Sequence, residues 1–139
     1  MIRKAPISMI MTQDVITLKQ TDSLETAEKL FKKNKIRHIP VVDDSEIIGM
    51  LSYSDLLRLS FADVTIGDDS SADAMVYNML TTGQVMKRSI VTVSSSKSIK
   101  EVAEILATKE FHALPVVNNN ILIGIVTTTD LINYLIKQF

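Results

Sequence analysis

Apolar residues in this chain fall into short runs and helical stripes, and the whole pattern occurs twice. The run Val15-Ile16-Thr17-Leu18 is rich in β-branched residues and predicts a strand. Leu24, Ala27, Leu30 and Phe31, with charge between them, have the i, i+3, i+4 spacing of an amphipathic helix. Asp22, three residues before Glu25, predicts a capping box at its start. Two more apolar runs, 39–42 and 47–51, flank Asp43-Asp44-Ser45. Asp tolerates left-handed backbone, so these runs read as a hairpin. A second helix is expected to begin near Ser54-Asp55. The pattern then returns, with a strand at 90–93 and a capping box of Ser98 and Glu101. Ile99, Val102, Ala103 and Leu106 form the helical stripe. A hairpin follows at 114–117 and 121–126 around Asn118-Asn119-Asn120, and a last helix near Thr129-Asp130.

The recurrence is a true repeat. Sliding the chain against itself by 75 residues lays Met11 on Met86, Thr17 on Thr92 and Ser23 on Ser98. The same offset lays Pro40-Val41-Val42 on Pro115-Val116-Val117, Ile48-Gly49 on Ile123-Gly124, and Asp55-Leu56 on Asp130-Leu131. No gap interrupts it from Met11 to Leu56. Each copy reads strand, helix, strand, strand, helix, which defines an α+β fold of two β-α-β-β-α repeats. A right-handed crossover makes the first two strands parallel, and the hairpin adds an antiparallel one. A single copy of about 60 residues buries only about 60% of its surface, so the copies are expected to pack about a pseudo-two-fold axis. The expected divisions are 1–62, a linker 63–84, and 85–139. Within the connection, which the apolar pattern opens at Arg58, 67–72 reads as an exposed loop and 74–80 as a short apolar helix.

Composition narrows the chemistry. The 139 residues carry 15 Lys+Arg against 16 Asp+Glu, a net charge of −1, with 46% apolar residues and no cysteine. The missing cysteines exclude disulfides and thiolate chemistry. The balanced charge argues against a nucleic-acid partner. No apolar run approaches the roughly 18–20 residues that span a bilayer. The opening Met1-Ile2-Arg3-Lys4-Ala5-Pro6 is neither a secretory signal nor an anchor. A soluble, cytoplasmic protein without a membrane partner is the expectation.

Two recurring features exceed what packing requires. Ser52-Tyr53-Ser54-Asp55 and its twin Thr127-Thr128-Thr129-Asp130 gather hydroxyls and a carboxylate where a strand ends and a helix begins. Capping accounts for part of this: Ser54 and Thr129 suit the N-cap, and Asp55 and Asp130 suit the first turn. It leaves Ser52 and Thr127 over. Hydroxyls at a helix N-terminus also suit a phosphate, and a carboxylate suits a ribose diol. The second feature is basic: Arg37, His38 and His112 stand just before the repeated prolines. Each alone reads as a solvated strand-edge residue, whereas together they suit phosphate contact, with Arg37 always charged. The sequence has no H-E-x-x-H metal spacing, no phosphate-loop glycine motif and no G-x-S-x-G nucleophile turn. An enzyme is not expected, and no catalytic or metal-binding residue is assigned.

From about Ile7 onward the chain resembles a tandem pair of cystathionine-β-synthase (CBS) domains, the arrangement called a Bateman module. The resemblance rests on Met11-Thr12-x-x-Val15-Ile16-Thr17, Arg37-His38-Ile39-Pro40-Val41-Val42, Ile48-Gly49-Met50-Leu51-Ser52-x-x-Asp55, and their counterparts. Both copies satisfy the family's G-h-x-[ST]-x-x-[DN] signature. It implies clefts between stacked repeats that take AMP, ADP, ATP or S-adenosylmethionine as ligand, with no cofactor required. It also implies regulation of a linked or partner protein, not yet identified. Carried over residue by residue, Asp55 and Asp130 hold the ribose, and Ser52, Ser54, Thr127 and Thr129 meet ribose or phosphate. Met11, Ile16 and Arg37 are expected to join Asp130, and Met86, Val91 and His112 to join Asp55. Ile16 and Val91 flank the adenine, while Arg37, His38 and His112 reach phosphates. Ala113 stands opposite His38 in the repeat, so the two sites are expected to be unequal.

The expected function is a stand-alone regulatory adenosine-nucleotide sensor. The alternative is a dimerising interaction scaffold whose pockets stay empty, and a small hydrolase ranks below both. The stripes at 24–31, 99–106 and 131–136 exceed what 139 residues can cover, so a homodimer through the helices after Asp55 and Asp130 is expected.

Overall fold

The hairpins turn where Asp and Asn accept left-handed backbone. In the computed structural model residues 5–65, 79–109 and 111–139 are described, side chains excepted at 60–65. Asp44 and Ser45 have φ of 49° and 76°, and Asn119 and Asn120 have 51° and 65°, as a tight two-residue hairpin turn requires. The expected loop at 67–72 and the expected helix up to residue 78 lie outside the described residues. The chain forms two compact units.

The first unit is Ile16–Ile90. Its hairpin pairs β1 (His38–Asp43) with β2 (Glu46–Ser52), from Asp43 opposite Glu46 to His38 opposite Ser52. Helix α1 (Leu24–Asn34) buries Leu24, Ala27 and Phe31. Its N-cap is Ser23, whose hydroxyl accepts from the Thr26 N–H at 3.1 Å. The capping box expected from Asp22 and Glu25 is therefore corrected. Asp22 instead accepts from the Lys19 N–H at 2.8 Å and shapes the approach to the helix. The helix stops at Lys35, which turns left-handed at φ 54°. Helix α2 (Tyr53–Thr65) follows β2 directly, and α3 (Thr82–Val85) is a single turn closed by Thr81 and Gln84. Leu18, Leu24, Ala27, Phe31, Ile39, Val41, Leu51, Leu56 and Met86 make the core.

The second unit joins the segment ending at Val15 to Val91–Phe139. A 3-10 turn at Ile7–Met9 precedes β3 (Val93–Ser94), α4 (Ile99–Thr108), β4 (Ala113–Asn118), β5 (Ile121–Thr127) and α5 (Thr128–Lys137). Strand β3 runs parallel to β4, and β4 antiparallel to β5. The expected capping box of Ser98 and Glu101 opens α4. The β4–β5 register slips between Val116 and Val117, and the first hairpin slips at the matching Val41 and Val42. Ile7, Val93, Ile99, Val102, Leu106, Leu114, Val116 and Val126 form this core. All but Ile7 are repeat counterparts of residues in the other core.

Each unit takes the stretch leading into the other repeat. The Ile7 N–H donates to the Lys97 carbonyl at 2.7 Å, and Thr12 exchanges two backbone hydrogen bonds with Ile125. Likewise Lys87 exchanges two with Met50, and the Thr82 N–H donates to the Asp22 carbonyl at 2.8 Å. Thr82 is the counterpart of Ile7. Both are fully buried, and the Thr82 hydroxyl has no partner among the described residues.

The first strand of each copy is shorter than its apolar run. Leu18 alone bridges to Val41, and β3 has only two residues. Proline explains the trimming. Leu18 donates to the Pro40 carbonyl and accepts from the Val42 N–H, so the next parallel rung needs an N–H from residue 40. Proline has none, and the ladder ends there. Pro115 holds the same place beside β3.

Candidate functional site: two helix N-termini and one charged groove

The last residue of the hairpin caps the second helix in each copy, which corrects the assignment of the caps to Ser54 and Thr129. The Ser52 hydroxyl accepts from the Asp55 N–H at 3.1 Å, and the Thr127 hydroxyl accepts from the Asp130 N–H at 3.1 Å. Helices α2 and α5 accordingly begin at Tyr53 and Thr128. Capping thus accounts for Ser52 and Thr127, and the exposed Ser54 and Thr129 are the hydroxyls left over. Ser54 lies 3.1 Å from the Ser52 hydroxyl.

The two carboxylates are in different states. Asp130 completes a capping box, its carboxylate accepting from the Thr127 N–H at 2.9 Å. Asp55 turns instead to Arg58, one turn along α2, which pairs with its Oδ1. Its Oδ2 is buried and has no hydrogen-bond partner among the described residues. A buried acceptor left unpaired is costly, and an incoming O–H donor removes that cost.

Asp55 opens onto a groove of about 300 Å³ lined also by Arg58, Leu59, Val85 and Lys87. Lys87 is held there by its backbone pair with Met50, and its side chain is exposed. Arg58 and Lys87 were not singled out from the sequence. Arg58 sits where the apolar pattern opened the connection between the repeats, but the structure places it inside α2. The available signal was its position three residues after Asp55.

The other candidate residues divide between the units. Met86 is buried against Gly49, its sulfur beside the space a glycine Cβ would fill, and Met11 stands likewise against Gly124. Each methionine packs against the hairpin glycine of its own unit. The Arg37 carbonyl accepts from the Tyr53 N–H at 2.8 Å, and the His112 carbonyl accepts from the Thr128 N–H at 3.0 Å. These bonds set Arg37 beside the start of α2 and His112 beside the start of α5, with both side chains exposed. His38 begins β1 opposite Ser52. Ile16 packs on the edge of the first core, and Val91 is 42% exposed. Ala113 is buried at the start of β4. Among the described residues no group of His, Cys, Asp and Glu is placed to hold a metal ion, and no helix is long and apolar enough to cross a membrane.

Both copies thus place a hydroxyl-capped helix, with a carboxylate in its first turn, directly after a β-hairpin. The chain belongs to the CBS domain family, whose model matches residues 7–62 and 83–137. That family is generally regulatory rather than catalytic. Among curated relatives the chain is 28% identical over 124 residues to the protein MJ1225 of Methanocaldococcus jannaschii, covering 88% of this chain and 44% of that protein. It is 30% identical over 135 residues to a homoserine O-acetyltransferase of Methanohalobium evestigatum, covering 96% of this chain and 24% of the enzyme. The chain therefore spans less than half the length of these relatives. Among solved structures, CBSX2 of Arabidopsis thaliana in complex with AMP is 26% identical with a TM-score of 0.79, covering 96% of this chain and 97% of that one.

Proposed function

We propose that this chain is a regulatory module that senses an adenosine nucleotide, with AMP as the first ligand to test. The observation that carries the reading is the Asp55 Oδ2, buried without a partner among the described residues, beside a hydroxyl-bearing helix N-terminus. A ribose diol supplies the missing O–H donor, and the Ser54 hydroxyl and the helix end suit a phosphate. The AMP complex of CBSX2 supports the choice of nucleotide. Regulation follows if the module has two states that bind the nucleotide unequally, since equal binding shifts nothing.

Thermal unfolding of ligand-free protein tests the reading. AMP at about 100 times its Kd stabilises by about 2.7 kcal/mol, which raises the midpoint by roughly 5–10 °C. Asp55→Ala and Asp130→Ala are each expected to weaken the site they serve, because a hydrogen bond to a charged group is worth about 1.5–3 kcal/mol. No shift with AMP, ADP, ATP or S-adenosylmethionine favours the scaffold instead.

The module is also proposed to self-associate through α5. Its Ile132, Leu135 and Ile136 share one helical face and are 55%, 56% and 63% exposed. Light scattering is expected to give about twice the 15.5 kDa chain mass. A monomer at working concentration removes this part of the proposal.

A further inference from the structure

We infer that the Asp55 groove selects the phosphorylated form of its nucleotide, through Lys87 and Arg58, and that the Asp130 position does not. This rests on the nucleotide-sensing reading above and specifies it. Leu59 and Val85 give the groove apolar walls, while Asp55, Arg58 and Lys87 give it one negative and two positive charges. Arg58 is paired with Asp55, and Lys87 has no ion pair among the described residues. Among the described residues the lining therefore carries one positive charge without an ion pair, which suits an anion. Its volume of about 300 Å³ is at the small end of the roughly 300–1,000 Å³ of ligand pockets and suits one mononucleotide. With a ribose diol at the Asp55 carboxylate, the exposed Lys87 and Arg58 side chains are left for the phosphate.

The repeat supplies an internal control. Seventy-five residues from Arg58 stands Asn133, and the counterpart of Lys87 is Thr12. Thr12 exchanges the same two backbone hydrogen bonds with Ile125 that Lys87 exchanges with Met50, so both side chains leave equivalent backbone positions. The frame is kept and both cations are gone. Each carboxylate has one oxygen engaged, Asp130 by the Thr127 N–H and Asp55 by Arg58, but only Asp55 has its other oxygen buried without a partner among the described residues. A phosphate beside Asp130 meets a carboxylate with no cation at either matching position.

The test is calorimetric titration of the full chain with AMP and with adenosine, in an Asp130→Ala background that leaves the Asp55 groove intact. AMP is expected to bind at least about tenfold more tightly than adenosine, and the preference to shrink as salt rises from 0.05 to about 0.5 M. Lys87→Gln is expected to weaken AMP about tenfold and adenosine less than about threefold, with Lys87→Arg restoring most of the loss. Both substitutions are on an exposed side chain, and circular dichroism confirms folding. Arg58→Gln is expected to lower the AMP preference in the same direction. An unchanged AMP-to-adenosine ratio in Lys87→Gln and Arg58→Gln overturns the inference and leaves the sensor reading standing. Loss of all AMP binding on Asp130→Ala alone also overturns it. If neither compound binds the unsubstituted chain, the sensor reading itself falls, and this inference with it.

Discussion

Replacing Phe31 with alanine is expected to destabilise the Ile16–Ile90 unit by about 3–5 kcal/mol, the usual cost of emptying a buried phenylalanine site. Phe31 is 2% exposed at the centre of its core. It also meets Tyr53 edge to face, with ring centroids 5.2 Å apart and planes at 60°, a contact worth a further ~0.5–1.5 kcal/mol. Tyr53 is the first residue of α2, two before Asp55, so the cavity forms against the turn that carries Asp55. Denaturant unfolding is expected to show the loss, and AMP affinity to fall with it. Phe31→Leu separates the two effects, since the matching position of the second repeat already carries Leu106. It keeps most of the volume and loses the ring contact, so about 1–1.5 kcal/mol is expected. A Phe31→Ala cost below about 1 kcal/mol contradicts the burial that defines this core.

The sequence legibly carries this core because a repeat checks itself. Leu24, Ala27 and Phe31 face the core as Ile99, Val102 and Leu106 do, and both hairpins turn within the expected Asp43-Asp44-Ser45 and Asn118-Asn119-Asn120, with Asp43 and Asn118 ending their strands. Local chemistry competes more closely at element ends. Ser23 and Asp22 are both good capping residues. Ser23 wins the helix, and Asp22 is occupied by the Lys19 N–H. The same competition between neighbours moved the caps of α2 and α5 back from Ser54 and Thr129 to Ser52 and Thr127. The apolar runs at 15–18 and 90–93 have strand composition, but composition does not register that the partner strand holds Pro40 or Pro115.

Long-range placement was the least legible part. Periodicity cuts the chain between its repeats, whereas Thr12 bonds to Ile125 and Lys87 to Met50, so each leading segment belongs to the other repeat's unit. Lys87 enters the Asp55 groove only through that exchange, and Arg58 only because α2 runs on past residue 58. Neither residue lies within the G-h-x-[ST]-x-x-[DN] motif, which marks the capped carboxylate but not the charge around it.

The exchange also makes Gly49 sensitive. Gly49→Val is expected to cost about 3 kcal/mol, near the upper end of the usual range for overpacking. A Cβ at Gly49 meets the Met86 sulfur and stands 2.9 Å from the Lys87 carbonyl oxygen. The glycine has no positive φ, so the cost is steric rather than conformational. Met86 can swing its thioether aside, but the Lys87 carbonyl accepts from the Met50 N–H at 3.0 Å and moves only by breaking that bond. Gly49→Ala already meets both obstacles and is expected to cost about 1–2 kcal/mol, even though alanine normally gains ~0.5–1 kcal/mol over glycine within a strand. A double-mutant cycle with Met86→Ala divides the cost. Removing the thioether should lower the penalty of Gly49→Val and leave the part due to the Lys87 carbonyl. A neutral Gly49→Val contradicts the close approach of the two segments. A full rescue by Met86→Ala assigns the whole penalty to the side chain and leaves Lys87 free to stay in the groove.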